Sequence, residues 1–129
     1  MRLFLSLNLA AYLIAFGASA EIDTHILNCV AQKTCDHDGN CSVSDRIITF
    51  HFTPIEVGRH GEGSYELSYD EVTSEARYLS GLGPIFWGVG QIEMNSLSFT
   101  ANERALWLTT QIGEPPSSDI LFLECERDF

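Results

Sequence analysis

Positive charge is scarce in this 129-residue chain. Seven Lys and Arg stand against 18 Asp and Glu, which gives a formal net charge of -11 at pH 7. Such a surface repels nucleic-acid phosphates rather than neutralising them. It also lacks the basic clusters that hold proteins on anionic lipid. The composition therefore excludes nucleic acid as the expected partner and favours basic partners.

Long apolar runs are also absent, except at the N-terminus. Arg2 precedes an apolar run over residues 3–16, and Ala18-Ser19-Ala20 matches a signal-peptidase site. This pattern predicts a secretory signal peptide over residues 1–20, so we expect a periplasmic or secreted protein. No later run is long enough to span a bilayer. The remaining residues, 21–129, suit one small domain without a membrane span.

Catalytic and metal-binding motifs are missing as well. The sequence contains no G-x-S-x-G elbow, no H-E-x-x-H pair and no C-x-x-C pair. Asp36, His37 and Asp38 cluster in one segment, but Gly39 comes too early for a calcium loop and the distal Glu is absent. An Asx-rich turn with solvated side chains is the favoured interpretation of this cluster. We therefore predict no enzyme, no cofactor and no metal site.

Four cysteines follow the predicted signal peptide: Cys29, Cys35, Cys41 and Cys125. An even number of cysteines in an exported chain predicts two disulfides, for which three connectivities are possible. We favour Cys35–Cys41 with Cys29–Cys125, because residues 36–40 are rich in turn formers and can bring Cys35 back to Cys41. The second bridge would then tie the first strand to the last.

The hydropathy pattern favours an all-β fold. Short β-type segments alternate with turn signals. The clearest strand covers residues 46–53, where Ile48, Phe50 and Phe52 are expected to face the core and Pro54 to end the strand. Residues 72–79 fit a helical stripe or a strand, and a strand is favoured. About eight strands predict an antiparallel meander, closed into a barrel rather than folded as a sandwich.

One segment joins glycines and a proline to large apolar side chains, which anchor interfaces when they are exposed. The residues of this candidate binding surface are Leu82, Pro84, Phe86 and Trp87. In the alternative interpretation the glycines form a corner, and one of the two aromatic side chains packs in the core beside Trp107. The two interpretations differ in whether Phe86 and Trp87 are both accessible.

Several features together resemble small exported proteins of alphaproteobacterial type. They are the signal peptide, a Cys-x5-Cys-x5-Cys run (Cys29, Cys35, Cys41), a Gly-Pro-x-x-Trp segment (Gly83, Pro84, Trp87) and a lone Cys125 near the end. That group has no established activity, so the resemblance implies no functional residues. The size and expected barrel are more distantly similar to periplasmic lysozyme or protease inhibitors, although the chain has no inhibitor motif.

These observations predict an exported, disulfide-stabilised binding or inhibitor-like module. We expect a monomer that acts through its loops, including the turn at residues 59–62, on a protein, an envelope component or a small ligand, and the acidic charge favours basic partners. A structural envelope protein without a ligand is one alternative. A metal-binding or enzymatic domain is the other, and it would require His and carboxylate side chains to converge in a pocket.

Overall fold

The computed structural model describes residues 23–79 and 83–127. The predicted signal peptide and its cleavage site lie outside these residues. The described strands are β1 His25–Asp36, β2 Cys41–Val43, β3 Ile47–Val57, β4 Gly63–Tyr69, β5 Val72–Tyr78, β6 Ile85–Val89, β7 Glu93–Ala101, β8 Arg104–Gln111 and β9 Ser117–Arg127. Within this described part of the chain, no helix is long and apolar enough to cross a membrane.

The strands close into an antiparallel barrel. From β3 to β9 each strand pairs with the next, and β1 pairs with β3 on one edge and with β9 on the other. Eight strands therefore form the barrel, and β2 extends the sheet by pairing with Lys33, Thr34 and Cys35 of β1. The predicted closed barrel of about eight strands is confirmed. The short β2 was not predicted, because a three-residue strand gives no periodic signal.

Side chains that point into the barrel form its core. Ile48, Phe50 and Phe52 are all buried, as the alternation along β3 predicts. Phe50 packs against Tyr69, Trp87 and Trp107, and the ring centroids of these four residues lie 5.3 to 6.2 Å apart. This aromatic cluster fills the centre of the barrel, which in an eight-stranded barrel has room for little more than side chains.

The expected end of β3 at Pro54 is wrong. The strand continues to Val57, and its register with β4 shifts between Pro54 and Glu56. Such a bulge interrupts the ladder locally, so a residue without a backbone N–H is tolerated there. The ambiguous segment that follows β4 forms β5, which confirms the strand interpretation.

Both predicted disulfides are confirmed. Cys29–Cys125 joins directly paired residues of β1 and β9, across the seam where the barrel closes. Cys35–Cys41 joins β1 to β2 across the turn at residues 36–40. The long bridge thus restrains the two ends of the described barrel, whereas the short bridge restrains one hairpin.

The two bridges should differ in their contribution to stability. Cys29→Ala/Cys125→Ala opens a loop with a sequence separation of 96 residues. We expect that double variant to lose about 4–5 kcal/mol of unfolding free energy, and Cys35→Ala/Cys41→Ala to lose about 2 kcal/mol. Urea denaturation of both variants under non-reducing conditions measures the difference. An equal or larger loss from the short bridge would contradict this ranking.

Candidate functional site

One end of the barrel is open and apolar, and we call it the mouth. A cavity of about 70 Å³ lies there. Its apolar lining consists of Phe52, Tyr65, Tyr78, Ile85 and Phe99. His25 and Arg127 complete the lining, so every barrel strand except β8 contributes one of these side chains.

Strand alternation explains why these residues meet. His25 precedes the inward-facing Leu27 of β1, and Arg127 follows the inward-facing Cys125 of β9, each by two positions. The inward faces of β1 and β9 therefore end at the mouth in polar side chains. The guanidinium of Arg127 lies over the ring of Phe99, 4.1 Å from its centroid.

The connection between β3 and β4 is held against the mouth. The Tyr65 hydroxyl donates a hydrogen bond to the carbonyl of Gly61 over 2.6 Å. The Glu62 carboxylate accepts a hydrogen bond from the His60 amide over 3.0 Å, and the Gly58 amide donates to the Glu62 carbonyl over 2.8 Å. The turn at residues 59–62, which the sequence analysis named, thus borders the cavity, because Tyr65 of the cavity wall is hydrogen-bonded to it.

The connection between β5 and β6 borders the same end of the barrel. The Leu79 amide donates to the Pro84 carbonyl over 3.4 Å. Gly83 has a φ of +97°, and a Cβ there would lie 2.9 Å from the carbonyl oxygen of Leu97 in β7. A glycine is therefore required at this position by both conformation and space. Leu82, a predicted surface residue, lies outside the described residues.

The predicted binding surface does not form as one patch. Pro84 is half-buried, and Phe86 is 41% exposed on the outer wall of the barrel. Trp87 is only 2% exposed and packs beside Trp107 in the core. We correct the prediction at Trp87, because neighbouring residues of a strand point to opposite faces and only Phe86 faces outward.

Polar groups inside the barrel are paired around the aromatic cluster. The indole N–H of Trp87 donates to the Tyr69 hydroxyl over 3.0 Å, and that of Trp107 donates to Asn95 Oδ1 over 2.9 Å. Asn95 is 2% exposed, and its Nδ2 has no hydrogen-bond partner among the described residues. Sequence analysis missed Asn95, because asparagine inside an alternating strand gives no distinct signal of burial.

The tyrosines of the mouth stay protonated at neutral pH. Burial raises the pKa of Tyr65 above its usual value, and the nearby Tyr78 and Glu62 raise it further. Burial also raises the pKa of Tyr78, although the charge of Arg127 opposes this effect. The two phenols can therefore act as hydrogen-bond donors, while their rings line the cavity.

The other candidate cluster is a turn. The Asp36 carboxylate accepts hydrogen bonds from the amides of Asp38 and Asn40 over 3.0 and 2.9 Å. The bond from Asn40 is the main reason that the pKa of Asp36 is lowered. No three His, Cys, Asp or Glu side chains converge to hold a metal ion anywhere in residues 23–79 and 83–127.

The mouth residues were not singled out by sequence analysis. Arg127 is the last residue of β9, and a charged side chain at a strand end is usually solvated rather than part of a cavity. The alternation along the last strand nevertheless indicates that Arg127 lies on its inward face. The residues that share this face of β9 are Leu121, Leu123, Cys125 and Arg127.

The chain matches no protein-family model, no curated protein and no solved structure. The geometry of the mouth is therefore the basis for any functional conclusion.

Substitutions at Phe86 and Trp87 should separate surface from core. We expect Trp87→Ala to lower the free energy of unfolding by about 3–5 kcal/mol, because it leaves a cavity in the aromatic cluster. Phe86→Ala should cost no more than about 1 kcal/mol. Chemical denaturation of both variants measures these losses. Similar losses at the two positions would show that Trp87 does not face the core while Phe86 faces outward.

Tyrosine ionisation should occur at unusually high pH. Burial raises the folded-state pKa of Tyr65, Tyr69 and Tyr78 above the ordinary value of 10.0. Their contribution to stability is therefore fully present below the unfolded-state pKa and is lost as pH rises through the folded-state pKa. Ultraviolet titration should show tyrosinate forming above pH 10 together with unfolding. Full ionisation near pH 10 in a folded protein would contradict the observed burial.

Proposed function

We propose that the protein is an exported binding module whose barrel mouth receives a small apolar group of its ligand. The apolar cavity at the mouth is the single observation that carries this proposal. Pockets that bind ligands are typically concave and apolar, with a few polar groups that orient what enters. At this mouth His25, Tyr78 and Arg127 are lining residues that carry polar groups.

The size of the cavity limits what can enter it. A cavity of about 150 Å³ holds benzene, with its six carbons. The mouth cavity, at about 70 Å³, therefore suits about three carbons, such as an isopropyl group. The aromatic cluster fills the barrel below it, so the rest of a ligand must remain at the rim.

The wall that carries this cavity is preorganised for binding. The Cys29–Cys125 bridge joins β1 and β9, the strands that carry His25 and Arg127. A site held rigid before binding loses less conformational entropy when the ligand arrives. The two disulfides also suit the oxidising compartment of an exported protein.

Nuclear magnetic resonance titration with isovaleramide tests this proposal, since that uncharged molecule carries an isopropyl group. We expect saturable shift changes at the mouth residues, with a dissociation constant no lower than about 0.5 mM, because three buried carbons supply at most about 4.5 kcal/mol.

Ile85→Phe is the matched control, because the larger side chain occupies the cavity from its own wall. It should abolish the shift changes while a denaturation curve shows an intact fold. Absence of saturable shifts in the native protein would contradict the proposal and favour a structural role. Shift changes that persist in Ile85→Phe would place the binding elsewhere.

A further inference from the structure

We infer that the mouth selects a short branched carboxylate, with its apolar end in the cavity and its carboxylate on Arg127 and Tyr78. This inference deepens the proposed function and rests on it. The ligand chemistry follows from the juxtaposition of a three-carbon cavity with a guanidinium on its rim.

Arg127 lies where it can bind a carboxylate. Its side chain lies on the inward face of β9, and it lines the cavity while it stacks on Phe99. Arginine is always charged in proteins, and its planar fork of N–H donors matches a carboxylate. No carboxylate in residues 23–79 and 83–127 forms an ion pair with it, although the chain has 18 acidic residues. The guanidinium fork is thus not engaged by an acidic side chain of the described barrel.

Tyr78 supplies a second donor at the same rim. Its side chain lines the same cavity as Arg127, and burial raises the pKa of its hydroxyl, which is therefore protonated at neutral pH. Tyr65, whose ring centroid is 6.2 Å from that of Tyr78, directs its own hydroxyl to the carbonyl of Gly61. Tyr78 and Arg127, which line the same cavity, are therefore the two donors that we assign to the anion.

The Glu62 carboxylate of the bordering turn is bonded within that turn. Glu62 belongs to the turn whose Gly61 carbonyl accepts the hydrogen bond from the Tyr65 hydroxyl. Its carboxylate accepts the hydrogen bond from the His60 amide inside the turn.

Among the described Lys and Arg residues, Arg59, Arg77, Arg104 and Arg127 lie in or next to the connections at this end of the barrel, whereas Lys33 and Arg46 lie towards the other end. Glu56, Glu62, Glu103 and Glu126 lie in or next to the same connections, so the local contact with Arg127, rather than the overall charge of this end, selects the anion.

The distance between apolar and charged parts must be short. Arg127 itself lines the cavity, so a carboxylate bound to it lies beside the apolar group rather than at the end of a long chain. Isovalerate has this form, with an isopropyl group one methylene away from the carboxylate. A valine at the C-terminus of a peptide contains the same skeleton. The shared chemistry can thus come from a free acid or from a chain terminus.

The test compares isovalerate with isovaleramide, which has nearly the same shape without the charge. Titrations followed by nuclear magnetic resonance give both dissociation constants. In the native protein we expect isovalerate to bind at least about tenfold more tightly, as for a hydrogen bond between charged partners. Arg127→Gln should reduce this ratio to within about twofold, because the ratio cancels any effect that the substitution has on both ligands alike.

Arg77→Gln is the matched control. Arg77 is adjacent to Tyr78, but it is exposed and points to the opposite face of β5. Arg77→Gln removes the same net charge as Arg127→Gln. The ratio of the two dissociation constants should therefore stay near its native value if the local contact with Arg127, rather than net charge, causes the preference. Tyr78→Phe should lower the ratio by an intermediate amount. It also keeps the test decisive if Arg127→Gln fails to fold.

The outcomes separate this inference from the proposed function. Equal affinities for the acid and the amide would overturn the inference and leave the binding function intact, whereas no binding of either would overturn both. A preference for the acid that survives in Arg127→Gln would overturn the assignment of Arg127. A further titration uses an acetylated dipeptide that ends in valine. Binding at least as tight as that of isovalerate supports a chain terminus as the source, and weaker binding supports a free acid.

Discussion

Closure of β1 on β9 is the constraint on which the rest of this structure depends. β1 has partners on both edges, and Cys29–Cys125 fixes the pair that closes the ring. Closure removes the exposed sheet edges of an open meander and gives each barrel strand an inside and an outside. It also determines where the inward faces end. His25 and Arg127 reach the mouth because β1 and β9 are locked in this register.

The filled core and the open mouth both follow from how side chains pack inside the barrel. Phe50, Tyr69, Trp87 and Trp107 fill the centre, and the two indole N–H groups find acceptors there. Large side chains in the centre prevent a ligand from passing through the barrel. What remains is a shallow apolar space at one end, bordered by arginine. Because the interior is filled, the proposed ligand site lies at the open rim.

Much of the fold could be predicted because its signals are local. The alternation at Ile48, Phe50 and Phe52 identified the core face, and turn-forming residues between Cys35 and Cys41 indicated the disulfide pairing. The bulge beside Pro54 could not be predicted, since it is a property of the register between two strands. Which of Phe86 and Trp87 faces the core could not be predicted either, because either face of a short strand can point inward. The mouth itself joins residues from seven strands, so it emerges only from their arrangement around the ring.

The central claim is that a small branched group enters the mouth, and contacts between ligand and protein protons test it most directly. Intermolecular nuclear Overhauser effects should link the methyl protons of isovalerate to the ring protons of Phe52 and Phe99 and to the side chain of Ile85, the apolar lining of the cavity. Contacts to Phe86 or Phe122 on the outer wall, without contacts to the cavity lining, would contradict the account.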